Sequence, residues 1–151
     1  MADEAYRAVF LRIHPTGKMV LSLTTEGDGH EADYAQMVAD QLGVPPLDVK
    51  VVPADTNRFG EGHGFNTAPS PGAAAAIVDT TGKILDKARL LAGAELHTSP
   101  ENLEWSDGAF ATTTGERQTT TIADLAMYSL SSGDLPPGVE GGLDAQTVYR
   151  D

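Results

Sequence analysis

Residues 22–35 read S-L-T-T-E-G-D-G-H-E-A-D-Y-A. An alternating stretch ends in Thr24-Thr25, two glycines flank an aspartate, and a His-Glu pair opens a helical pattern. From Glu31 to Leu42, apolar residues at Tyr34, Met37, Val38 and Leu42 keep helical spacing. Gly43 is a natural helix stop. A strand, a glycine loop and a helix in direct succession set the chain among folds that mix strands with helices.

Upstream, Tyr6–Ile13 and Lys18–Thr24 alternate apolar and polar positions, with Val9, Leu11 and Ile13 on one face. H-P-T-G between them predicts a tight hairpin connection. Downstream, V-P-P bars further helix and Leu47–Val52 reads as a strand. Residues 54–71 form a long Gly/Pro-rich loop, a length that points to function or disorder. Gly72–Leu96 reads as one long helix weakened by T-T-G at 80–82, and its A-A-A-A run (73–76) would let another backbone come close. L-E-W-S-D-G-A-F-A (103–111) is a hairpin with Asp107-Gly108 at its tip. T-T-T-I-A-D-L-A-M-Y (119–128) is a short helix with a threonine cap and an acid three positions later. The tail from Ser131 has no helical period and is expected to run extended along another surface, which implies an obligate complex. The expectation is a single domain over residues 1–151. Its class is α+β (mixed α/β), with strand hairpins, two main helices, the order ββαβαββα and an extended C-terminal tail.

Composition narrows the function classes. The 151 residues are 40% hydrophobic but only 6% aromatic, so Ala, Val, Leu and Ile must build the core. Ten basic residues against twenty-two acidic ones give a net charge of −12, which repels nucleic acid and anionic membranes. With no cysteine, the chain has no disulfide, thiol nucleophile, zinc-thiolate site or iron–sulfur ligand of its own. The acidic start M-A-D-E-A-Y-R lacks the apolar run of a signal peptide. No stretch approaches the ~20 apolar residues of a membrane helix. A soluble, cytoplasmic protein is expected.

His30-Glu31 opens a helix, yet A-D-Y follows where a zinc-protease helix needs a second histidine. The four histidines, His14, His30, His63 and His97, share no short metal-ligand spacing. Asp28, His30 and Glu31 would gather a cation only with ligands from a second element, and helix capping is the simpler reading. No metal site is assigned. There is no serine in a nucleophile elbow and no phosphate-cradling lysine loop, so no catalytic residue is assigned either. What remains is a repeated design. T-T-E-G-D-G (24–29) and F-G-E-G-H-G-F-N-T (59–67) each follow a strand and precede a helix. Backbone N–H groups at such places suit phosphate or a dinucleotide.

Several runs together carry a family resemblance: R-I-H-P-T-G-K (12–18), T-T-E-G-D-G-H-E-A-D-Y-A-Q-M-V-A-D-Q-L-G-V-P (24–45), D-T-N-R-F-G-E-G-H-G (55–64), P-G-A-A-A-A (71–76), D-K-A-R (86–89), N-L-E-W (102–105) and L-P-P-G-V-E-G-G-L-D-A (135–145). In this order the chain resembles an internal segment of the molybdopterin-binding large subunit of the molybdenum hydroxylases, the family of aerobic carbon monoxide dehydrogenase, aldehyde oxidase and xanthine oxidase. The resemblance implies a small subunit or fragment of a split oxidoreductase. It would form part of a molybdopterin (cytosine) dinucleotide site with molybdenum, shared with a partner subunit, for oxidative hydroxylation of a small substrate. It places Glu26, Gly27, Asp28, Gly29 and His30 in a first cofactor loop, and Gly62, His63, Gly64, Phe65, Asn66 and Thr67 in a second. The implied partners are the remainder of the large subunit, a flavin subunit and an iron–sulfur subunit. The family's catalytic glutamate falls in a later segment, so the chain is not expected to be catalytic alone.

The departures have chemical weight. Where the family has Gln-Gly-Gln-Gly-His-Glu, this chain has Glu26-Gly27-Asp28-Gly29-His30-Glu31. Glutamine amides donate hydrogen bonds, whereas ionised carboxylates only accept them and repel an anion. In the second loop a Gly-Ser-Arg-Ser-Thr-like stretch becomes G-F-N-T-A (64–68), without the arginine. These changes define the alternative, a non-catalytic binding or scaffold module that kept the fold and lost the pterin site.

Overall fold

A computed structural model describes residues 6–23, 31–53, 71–133 and 135–150. Strands β1 (Tyr6–Ile13) and β2 (Met19–Leu23) form the antiparallel hairpin. His14 and Gly17 close its turn, with backbone bonds of 2.8 Å from His14 N to Lys18 O and from Gly17 N to His14 O. Val9, Leu11 and Ile13 lie opposite Leu23, Leu21 and Met19, and all six are buried. Helix α1 (Glu31–Leu42) buries Tyr34, Val38 and Leu42 against them. Strand β3 (Val49–Pro53) then runs parallel to β2, with Leu21 beside Val51 and Leu23 beside Pro53. Parallel neighbours need a crossover, and α1 is that crossover.

Leu47 and Asp48 are not part of β3. Pro46–Asp48 form a short 3-10 turn, because Pro46 holds its φ in the helical range, and Leu47 is 93% exposed.

Helix α2 (Pro71–Glu95) runs unbroken through T-T-G. The Thr80 hydroxyl lies 2.7 Å from the Ala76 carbonyl and 2.7 Å from the Thr147 hydroxyl. Thr81 donates to the Val78 carbonyl at 2.9 Å. Both threonines are buried with these partners, so the helix carries them without an unsatisfied hydroxyl.

Strands β4 (Leu103–Ser106) and β5 (Ala109–Thr112) form the second hairpin, and β6 (Thr119–Thr121) joins them as a third strand. Helix α3 (Ile122–Ser131) starts with the expected cap: Thr121 Oγ1 accepts from Asp124 N, and Asp124 accepts from Thr121 N. The tail then corrects the expectation made for it. Leu143–Arg150 is strand β7, paired antiparallel with β1 along its whole length, so the main sheet runs β3-β2-β1-β7. Leu143 is buried and Ala145 and Tyr149 pack on the core. The tail lies on this chain's own sheet, and its extension gives no argument for a partner.

The α+β class stands, with two strands more than the sequence pattern offered. Beyond the helices, Arg89 donates to the Leu103 carbonyl at 2.8 Å and lies 5.0 Å from the Phe110 ring centre. Lys87 donates to the Gly142 carbonyl, and Gly142 N donates to Ser129 Oγ at 3.1 Å. The runs D-K-A-R, N-L-E-W and L-P-P-G-V-E-G-G-L-D-A thus meet one another as packing and hydrogen-bond partners. Their role in this chain is to join α2, the second hairpin and β7.

Candidate functional site

Every residue placed in a cofactor loop from the sequence, Glu26, Gly27, Asp28, Gly29, His30, Gly62, His63, Gly64, Phe65, Asn66 and Thr67, lies outside the described residues. The elements that bracket those loops are described, and they decide where the loops begin and end. β2 and β3 are adjacent and parallel, and their last residues, Leu23 and Pro53, are register partners. Parallel strands point the same way, so both loops depart from one end of the sheet, from neighbours about 4.8 Å apart. The loops return into the N-termini of α1 and α2, which pack on one another. Ala35, Ala39, Ala73 and Ala76 are buried at small volume, which admits close helix approach, as the A-A-A-A run predicted.

In open α/β sheets ligands bind outside the carboxyl ends of parallel strands, and the β2–β3 pair has its two strand ends side by side in that sense. The fit of an anionic, phosphate-bearing cofactor can be tested on the two helix starts. The first turn of α2 contains no acidic residue. After Pro71 it opens on Gly72 and Ala74, residues too small to shield a helix-start amide. The axial dipole of a 25-residue helix adds positive potential there. This start fits an anion. The first turn of α1 carries Asp33 instead, whose charge complements the helix's own dipole and leaves less for a ligand.

Gly72 and Ala74 were not among the residues placed in the site from sequence. The available signal was a helix start directly after a glycine loop with no acid in its first turn. Two grooves are found elsewhere among the described residues. One, of about 370 Å³, lies between Asp86, Leu90 and Val139. The other, of about 410 Å³, lies at the β1–β2 turn end, between Ile13, Pro15, Leu130 and Leu143. Neither includes the strand ends that release the glycine loops.

Residues 2–151 match the family model described as molybdopterin cofactor-binding domain. The chain is 35% identical over 144 residues to the carbon monoxide dehydrogenase large chain of Afipia carboxidovorans, a match covering 92% of this chain and 17% of that one. It is 29% identical to the nicotine 6-hydroxylase large subunit of Paenarthrobacter nicotinovorans, over 94% of this chain and 18% of that one. Its fold superposes on the reconstituted CO dehydrogenase from Oligotropha carboxidovorans with a TM-score of 0.79 at 31% identity, covering 96% of this chain and 18% of that chain. The chain therefore spans less than a fifth of the length of these relatives.

Proposed function

The chain belongs to the molybdopterin cofactor-binding domain family, and from that premise we propose that it supplies one wall of a pterin dinucleotide site in a split molybdenum hydroxylase. The carrying observation is the parallel β2–β3 pair, which releases both glycine loops at one sheet end beside the acid-free start of α2. In this reading the amides of Gly72 and Ala74 hold a phosphate. The amides of Gly27, Gly29, Gly62 and Gly64 line the rest of the cradle. The bound cofactor supplies the two-electron chemistry of oxidative hydroxylation. This chain binds and orients it, and other chains of the assembly provide the reacting groups, the flavin and the iron–sulfur centres.

The test is metal and pterin analysis of the complex purified from its source with all subunits present. Molybdenum and a pterin dinucleotide in stoichiometric amount are expected. Their absence from the complete complex sinks the proposal. The double variant Glu26→Gln with Asp28→Gln restores two amide donors and removes two charges, so cofactor occupancy is expected to rise several-fold at limiting cofactor.

A second reading, a scaffold module without pterin, is favoured by those same two carboxylates. Under it the double variant leaves cofactor content at zero, and the two readings separate on that measurement.

A further inference from the structure

Strand β7 is an outer edge of the main sheet, and the hairpin beside it fixes which of its backbone groups face out. His14 N donates to Lys18 O at the β1–β2 turn, so His14 points its backbone at β2. Backbone groups alternate sides along a strand, so Ile13, Leu11, Val9 and Arg7 point theirs at β7. Their register partners are Leu143, Ala145, Thr147 and Tyr149. The N–H and C=O groups of Asp144, Gln146 and Val148 therefore turn outward, where no strand pairs with them among the described residues.

An open edge is a template for strand addition, and proteins guard it with lysine, proline or a bulge. The opposite edge, β3, holds Lys50 and Pro53 within its five residues. L-D-A-Q-T-V-Y-R has neither residue type, and its register with β1 is one-to-one over all eight positions. Gln146 is exposed and Val148 is 58% exposed. The guard comes from helix α2 instead, where Lys83 and Lys87 stand one turn apart. Lys83 Nζ donates to the Gln146 carbonyl at 2.8 Å and lies 3.2 Å from Thr147 Oγ1. Lys87 Nζ donates to the Gly142 carbonyl, just before the strand begins. Asp79 steadies the first of these contacts. Its carboxylate accepts from Thr147 Oγ1 at 3.1 Å and lies 3.6 Å from Lys83 Nζ. Gln146 is the middle of the three outward residues, and a strand that paired there would have to take its carbonyl from an ammonium group.

We propose that Lys83, seconded by Lys87, holds the β7 edge closed to strand addition by a second copy of this chain. A second copy is the occupant at issue because two β7 strands, run antiparallel about a two-fold axis, offer each other the same outward row. With the lysines in place that pairing also brings the two Lys83 ammonium groups to one seam, where like charges repel. The closure is independent of what the glycine loops hold.

The experiment compares the full chain with the double variant Lys83→Met and Lys87→Met, which keeps helix propensity and removes both caps. The variant is two charges more acidic on a chain already at −12, which by itself drives copies apart, so its association cannot be a charge effect. Sedimentation velocity is expected to show self-association about tenfold tighter than the parent's. Amide hydrogen exchange reads the seam: Gln146 and Val148 N–H exchange freely in the parent and slow about tenfold in the variant's dimer. Lys18→Met makes a like charge change at the β1–β2 turn and leaves association as in the parent. Equal thermal midpoints exclude a folding defect, and Lys83→Met alone repeats the test should the double variant misfold. A double variant no more associated than the parent, a dimer whose Gln146 and Val148 amides still exchange freely, equal association of Lys18→Met, or slowed exchange of those amides in the parent would each overturn the proposal.

Discussion

Gly43 ends α1 at a φ of +68°, and a Cβ built on it would stand 2.7 Å from the Cα of Asp107 at the tip of the second hairpin. Sequence signalled half of this. A glycine after a periodic run marks a left-handed helix stop, and Asp107-Gly108 marks a tight turn, with observed φ of +48° and +83°. That the two meet is a tertiary fact with no local signal. Gly43→Ala therefore meets two costs, roughly 1–2 kcal/mol for the left-handed conformation and about 1–3 kcal/mol for overpacking against immovable backbone. Urea unfolding should show a loss of at least ~2 kcal/mol. An alanine variant as stable as the parent would mean that the hairpin tip does not press on α1.

At the scale of elements, α2 shows how packing overrides local preference. T-T-G at 80–82 is a poor helical tripeptide, yet the helix continues from Pro71 to Glu95. Ile77, Ile84, Ala88, Leu91 and Ala92 are buried along it, and apolar burial at about 25 cal/mol per Å² outweighs a propensity cost near 1 kcal/mol. A Cβ added at Gly82 would meet nothing within 4 Å. Gly82→Ala is thus expected to stabilise the chain by about 0.5–1 kcal/mol, read as a rise of about 1–4 °C in thermal midpoint. The reverse sign would show that the helix needs its glycine. The short third strand, Thr119–Thr121, had no readable signal because three threonines next to a capping position satisfy strand and turn alike.

For the whole molecule, β7 is decisive. It is the last element in sequence and pairs with the first, Tyr6 opposite Arg150 and Ile13 opposite Leu143. Removing residues 143–151 strips the ladder from β1, uncovers α2 and deletes buried Leu143. The expected loss exceeds about 5 kcal/mol, the scale of a small domain's entire stability. Circular dichroism on heating should then show no cooperative transition. A truncated chain that still unfolds cooperatively near the parent's midpoint would return the tail to the role of an accessory strap.

The hairpins, the helices and their caps, the α+β class and the family were legible in one dimension, because period, turn chemistry and capping act over a few residues. The glycine loops were recognisable for the same reason. That both loops leave adjacent parallel strand ends, and that the tail completes the sheet, was settled by tertiary contacts. Each depends on pairing between residues thirty to more than a hundred positions apart. Such pairing is set by which apolar faces find one another in the folded core, and no local pattern encodes it.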